Sequence, residues 1–237
     1  MTRPATFELT EKKKDMIEII AIWDRSGSMQ GLVSDAIGGF NSFLEKEKKN
    51  SPDSRLTLVL FHDYWQVVED GAKITAVAPL TQKSYVPQGC TALYDAIGDT
   101  MNSVGQRLDK TAPEARPNKV LVTIFTDGLE NASTKYDSKQ IQGMIKHQRE
   151  AYSWEFLFLA ANQDAIATGE RIGVDPGAAV SVHASPAGYQ KVGQTMAFAA
   201  SAVAGNRGVH SLNVQKHYDA NLEAEEQTKV SGLTPLT

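Results

Sequence analysis

Asp24-Arg25-Ser26-Gly27-Ser28 directly follows the apolar run from Ile17 to Trp23. One carboxylate and two hydroxyls this close together admit three uses: attack on a substrate, coordination of a hard cation, or simple capping of a following helix, for which Asp and Ser are favoured. Two further stretches carry similar oxygen chemistry, Gly89-Cys90-Thr91 and Thr126-Asp127-Gly128. The nucleophile readings lack their partners. A phosphatase of the haloacid dehalogenase type usually carries a second Asp two positions after its nucleophile, and here that position is Ser26. Ser26 lies in no G-x-S-x-G elbow, and no His is placed by sequence to activate it. The G-x-x-x-x-G-K-[ST] phosphate loop is absent. A hard cation suits the inventory better. Mg²⁺ takes six oxygens, keeps several waters and uses only one or two carboxylates. Ser26, Ser28 and Thr91 offer neutral oxygens, and Asp24 and Asp127 can ligate directly or hold bound waters. Mn²⁺ and Ca²⁺ accept the same donors. Neutral ligands leave the ion's charge poorly compensated, so it would attract a carboxylate from outside. Gly27 and Gly128 permit tight backbone paths around it.

The elements that must position these loops are legible as hydrophobic pattern. Ile17 to Trp23, Leu56 to Phe61, Val120 to Phe125 and Glu155 to Leu159 are largely apolar runs, as in strands covered on both faces. Helical spacing links Val33, Ala36, Ile37, Phe40, Phe43 and Leu44. It recurs from Leu93 to Leu108, at Ile141, Met144 and Ile145, and from Tyr189 to Val203. Asp164 to Ile172 reads as a short helix. Tyr64 to Val68 reads as an antiparallel return strand, with more extended chain around Lys73 to Val77, and Ala178 to Val182 as a last edge strand. Such alternation predicts an α/β fold with a doubly wound, mainly parallel sheet and helices on both faces. Ligands of such sheets bind outside the carboxyl ends of the strands, where the three loops belong.

Taken together, DRSGS, the Thr of GCTALYDAI and the Asp of TDG resemble the three-loop metal ion-dependent adhesion site (MIDAS) of the von Willebrand factor type A (VWA) domain. The resemblance covers roughly residues 15 to 204. It implies a Rossmann-like, six-stranded sheet with one antiparallel edge strand. It also implies that Ser26, Ser28 and Thr91 bind Mg²⁺ directly and that Asp24 and Asp127 do so directly or through water. The function implied is docking of a partner's Asp or Glu at the metal, without catalysis. Intracellular bacterial or phage-type relatives suggest an AAA-type ATPase or a multiprotein assembly as partner. A Mg²⁺-dependent phosphohydrolase is the enzymatic alternative. A self-assembling protein is the structural one, with Asp219, Glu223, Glu225 or Glu226 entering a neighbour's site.

Other residues on the same face have two readings each. His62 and Asp63 could belong to the ligand rim or to a hairpin turn. Glu130 and Asn131 could belong to the rim or bond within their loop. Asp95 suits the start of its helix electrostatically. Cys90 is expected to be a buried structural cysteine, and Trp23 and Trp154 to be core. His183, His210 and His217 lack metal-ligand spacing.

The 237 residues suit one α/β domain with a tail. A hydrophobic share of 41% supports a sizeable core, and a net charge of −4 without a basic stripe argues against nucleic acid as a partner. A single cysteine excludes an intrachain disulfide. The N-terminus lacks the apolar region of a signal peptide, and no apolar run reaches the roughly 18 residues that span a bilayer. A cytoplasmic protein without membrane contact is the expectation. Residues 1–14 read as an extension, 15–204 as the VWA-like domain, and 205–237 as a tail that is mobile or ordered by a partner, because apolar residues are few there and no period is clean.

Overall fold

The computed structural model describes residues 16–161 and 164–231. The expected N-terminal extension, 1–14, lies outside them. The strands are β1 (Ile17–Asp24), β2 (Arg55–Phe61), β3 (Trp65–Lys73), β4 (Lys119–Thr126), β5 (Glu155–Ala161) and β6 (Ala179–Val182). The helices are α1 (Val33–Asn50), α2 (Leu93–Lys110), α3 (Ser138–Tyr152), α4 (Ala165–Arg171), α5 (Pro186–Ala204) and α6 (Val214–Ser231). The sheet order is β3-β2-β1-β4-β5-β6, with β3 antiparallel to β2 and the other pairings parallel. It is therefore the expected Rossmann-like sheet with one antiparallel edge. Helices α1 and α5 pack on one face, and α2 and α3 on the other. None of the described helices is long and apolar enough to cross a membrane.

Every residue of β1 is buried. A strand so placed needs side chains that want no water, and Ile17, Ile19, Ile20 and Ile22 supply them. Glu18 is the exception. Its carboxylate, fully buried, accepts from Arg107 of α2 and from the Thr57 hydroxyl of β2. Arg107 also donates to Asp70 of β3 at 2.7 Å. One guanidinium thus ties three strands to a helix at the amino end of the sheet.

On the other face, α1 and α5 touch backbone to backbone. A Cβ on Gly193 would stand 2.0 Å from the Gly39 carbonyl oxygen, and one on Gly39 would stand 2.6 Å from that of Tyr189. Neither position has room for a side chain, so α5 lies deep against the sheet with Ala199, Ala200 and Ala202 buried.

Three sequence expectations are corrected. Residues 73–77 do not extend the sheet: β3 ends at Lys73, and Ile74–Ala76 form a 3-10 turn that buries Ile74. Cys90 is exposed, because its loop runs over the surface. Where a tail mobile or ordered by a partner is expected beyond Gly205, the described residues include helix α6, packed through Val214, Tyr218 and Leu222. Those residues are spaced by four, giving a stripe one residue wide that low apolar content concealed. Helix α6 covers the open margin of β6. The Gln215 amide accepts from Ser181 N–H at 2.7 Å and donates to the Ser181 carbonyl at 3.4 Å, and the Tyr218 hydroxyl accepts from His183 N–H.

Two stability predictions follow from buried charge. Arg107→Met leaves Glu18 buried without its cation and should cost about 3–5 kcal/mol in urea unfolding, whereas Glu18→Leu combined with Arg107→Met should restore most of it. Glu47 of α1 is buried with Oε2 unpartnered, and burial pushes its carboxyl up to about 7. The folded-state value lies above the ordinary 4.5, so the protonated acid favours folding; that contribution is full below 4.5 and is lost as pH rises through about 7. Glu47→Gln should therefore stabilise the protein by about 1–3 kcal/mol at pH 8 and hardly at pH 4.5.

Candidate metal centre

Strands β1 and β4 are neighbours, and the crossovers leaving them run to opposite sides. The crevice outside their carboxyl ends is the topological switch point of the sheet. Asp24 closes β1 there with its side chain fully buried. One carboxylate oxygen accepts from Ser26 N–H at 2.6 Å, and the other accepts from the Thr126 hydroxyl of β4 at 2.6 Å. Asp24 thereby fixes its own loop and locks it to the next strand. Ser26 stands before the 3-10 turn Gly27–Leu32, yet its hydroxyl makes no capping bond. The helix-cap reading of DRSGS therefore does not account for its serines.

The Ser26 and Ser28 hydroxyls lie 3.0 Å apart, and Ser28 donates to Asp127 at 2.7 Å. Gly128 shows where the oxygens meet. A Cβ placed on it would lie 3.0 Å from Thr91 Oγ1, 3.4 Å from Ser28 Oγ and 3.9 Å from Ser26 Oγ. The five residues named from sequence, Asp24, Ser26, Ser28, Thr91 and Asp127, are thus gathered around one spot. Burial raises the Asp24 carboxyl to about 6 against the lowering effect of the Thr126 bond, and the nearby Asp127 raises it further; burial also raises Asp127. Two carboxyls that resist ionisation beside a cluster of hydroxyls form a donor set that a divalent cation would relieve. Among the described residues no group of three or more His, Cys, Asp or Glu side chains gathers elsewhere or here. The donors are mainly hydroxyls, which fit a hard ion.

Thr91 arrives on a long loop, and its course is held at each step. Asn41 of α1 accepts from the N–H of Leu80 and donates to its carbonyl. Tyr85 is fully buried and donates its hydroxyl to the Asp24 carbonyl. Gln88 N–H donates to the Arg25 carbonyl at 3.0 Å, and Gly27 N–H to the Gly89 carbonyl at 3.0 Å. Loops 24–27 and 85–89 are thereby fastened side by side. Gly89 has φ of +67°, and the Asp63 carboxylate fills the space beside it and accepts from Cys90 N–H.

The rim candidates are all near the site but mostly face protein. Asn131 accepts from Thr91 N–H at 2.8 Å while its own N–H donates to the Thr91 carbonyl, so it holds the threonine in place. Glu130 accepts from Tyr94 N–H in the first turn of α2 and from Ala132 and Ser133. His62 is buried, its Nε2 paired with the Gln88 amide at 3.1 Å, and its carbonyl accepts from Ala92 N–H. Asp63 is half exposed and braced against Gly89 and Cys90. Sequence reasoning missed Thr126, Tyr85 and the larger role of Asp95, which accepts from the backbone of Thr134, Lys135 and Tyr136 and folds the loop after Asp127. Thr126 adjoins Asp127 at a strand end, a signal that was available. Nothing local marks Tyr85.

No family model matches the sequence, and no curated protein is similar to it at a significant level. Solved structures do share the fold. Proximal thread matrix protein 1 of the mussel byssus superposes with a TM-score of 0.55 at 14% identity, over 77% of this chain and 47% of that one. A von Willebrand factor type A protein from Catenulispora acidiphila gives 0.54 at 16%, over 78% and 42%. The vWF domain of the type V pili tip protein Mfa5 from Porphyromonas gingivalis gives 0.57 at 12%, over 79% and 96%. The chain thus spans less than half the length of the first two. A further structure of the mussel protein has a zinc-occupied MIDAS motif. At these identities the likeness establishes the fold, which is that of VWA domains.

Tyr85→Phe removes the donor to the Asp24 carbonyl and should cost about 1–2 kcal/mol in thermal or urea unfolding. Tyr189→Phe is the matched control: its buried hydroxyl has no partner in the structure, so the substitution should be neutral or stabilising.

Proposed function

We propose that Asp24, Ser26, Ser28, Thr91 and Asp127 hold a divalent cation and that the protein docks an Asp or Glu of a partner protein there. The observation that carries this is the convergence of three hydroxyls beside Gly128, next to the Asp127 carboxylate, at the switch point of the sheet. The mussel protein's zinc-occupied MIDAS motif, on the same fold, supports a divalent metal in general. Oxygen donors favour Mg²⁺ here, with Mn²⁺ or Ca²⁺ as substitutes.

Each residue has a distinct part. Ser28 donates its O–H to Asp127 and accepts from the Ser26 hydroxyl, which leaves one of its lone pairs for an ion. The Thr126 hydroxyl donates to Asp24 and keeps that carboxylate oriented. Asn131 fixes the backbone of Thr91 so that the hydroxyl stays on the site. When bound, the cation supplies open positions that a carboxylate oxygen can fill. An AAA-type ATPase or a multiprotein assembly is the partner class the resemblance implies, and the proposed role is non-catalytic and cytoplasmic. Helix α6, which carries Asp219 and Glu223, is packed against β6 and α5. That placement favours docking of a separate partner over assembly through a released tail.

The test is a Mg²⁺ titration followed by calorimetry and melting. One ion should bind per chain, and at a hundredfold excess over Kd the fold should gain about 2.7 kcal/mol. Asp127→Ala and Ser28→Ala should each weaken binding at least tenfold. Equal stabilisation of all three proteins by Mg²⁺ would show that the ion binds elsewhere.

A further inference from the structure

An open cleft of about 820 Å³ lies between α3 and the turn that follows α4. That volume is within the usual range of small-molecule sites. The cleft reaches Trp154 and Glu155 at the amino end of β5, whereas the metal loops leave the carboxyl ends of the strands. Helix α3 lines it with Lys139, Gln142, Lys146 and Arg149. Steps of three and four residues put these on one helix face, and ten residues at 1.5 Å each spread the charge over about 15 Å. The facing wall is Gly173, with φ of +88°; a Cβ there would stand 3.2 Å from Gln142 Cγ, and Arg149 donates across to its carbonyl at 3.3 Å. His210 closes the end. Its backbone and ring are both seated, because no Cβ fits on Gly177 against its carbonyl or on Gly208 against its imidazole.

The charges of this cleft do not balance one another. Glu155 accepts from Val209 N–H at 2.9 Å and lies 3.9 Å from His210 Nδ1. Glu150 lies 3.9 Å from Lys146, but the two side chains are 67% and 69% exposed, so water screens the pair. Lys139 and Arg149 have no carboxylate within 4.0 Å among the described residues. The Gln142 amide and the Ser153 hydroxyl add neutral donors. We propose that the cleft binds a small molecule carrying two or more linked phosphates. A guanidinium fork fits phosphate oxygens in pairs, and an ammonium serves them as a point charge. The cations are spread too widely for one phosphate to meet them all, so a chain of phosphates matches them better. The concave shape and the net charge of −4 favour a compact anion held inside the cleft over a long nucleic acid laid across the surface.

The probes are sodium tripolyphosphate and orthophosphate, titrated by calorimetry into the full chain with EDTA present, so that no metal bridges probe and protein. One tripolyphosphate should bind per chain, at least tenfold more tightly than orthophosphate. Lys139→Gln combined with Arg149→Gln should weaken it at least tenfold. Lys83→Gln combined with Lys110→Gln removes the same charge from exposed positions outside the cleft and should leave affinity within about twofold. All four substitutions are at exposed side chains, and melting checks that both variants remain folded. ATP separates the sources of the phosphate chain: tighter binding than tripolyphosphate marks a nucleotide, and equal binding marks the phosphates alone. Absence of tripolyphosphate binding, equal affinity for the two probes, or equal loss in the two double variants overturns the site.

Discussion

The structure turns on a carboxylate that has been taken out of water at the end of the central strand. Asp24 has no exposed surface, and both of its oxygens are satisfied by protein, one by the loop that follows it and one by the neighbouring strand. A buried carboxylate left unpaired would be costly. Satisfying it forces the first turn of the loop, brings β4's last residue against β1, and sets the direction in which Ser26 and Ser28 leave the strand. The Asp24 carbonyl is tied in turn to Tyr85, which draws the long loop carrying Thr91 across the top of the sheet. Three segments distant in sequence are thus registered on one acidic residue.

The sheet supplies the rigid frame for this arrangement and is itself pinned at its other end. Glu18 and Arg107 make a buried ionic link among β1, β2, β3 and α2. Strand β1 therefore carries a buried acid near each end with opposite uses. At the amino end the charge is matched by a guanidinium and is structural. At the carboxyl end, Asp24 accepts from the Ser26 N–H and the Thr126 hydroxyl, and Asp127 accepts from the Ser28 hydroxyl. A hydroxyl can orient a carboxylate without neutralising it, and that difference separates a fastening from a site that invites a cation.

The sheet was legible in sequence because buried parallel strands leave long apolar runs that few other structures produce. The three candidate loops were legible because DRSGS, the Thr of GCTALYDAI and the Asp of TDG, each beside an expected strand or helix, together resemble one known pattern. What stayed hidden depends on contacts between distant segments. Tyr85 looks like any loop tyrosine until its hydroxyl is seen to reach Asp24. Glu130 and Asn131 look like rim residues until their side chains are seen to turn inward to α2 and Thr91. Helix α6 was concealed for another reason. Its buried face is a single residue wide, so its composition is that of a solvated segment even though Tyr218 and Val214 are wholly enclosed.

The way α6 meets β6 has a wider consequence. The Gln215 amide offers Ser181 one acceptor and one donor, the same pair that a peptide unit of an adjoining strand would offer. A side chain therefore stands in for a seventh strand and closes that margin of the sheet to intruding chains. Any neighbour that joins by strand pairing is directed to the opposite margin, β3, which begins beside Tyr64. Among the described residues the sheet thus has one hemmed border and one that is not, and the latter starts at the end that holds the candidate metal site.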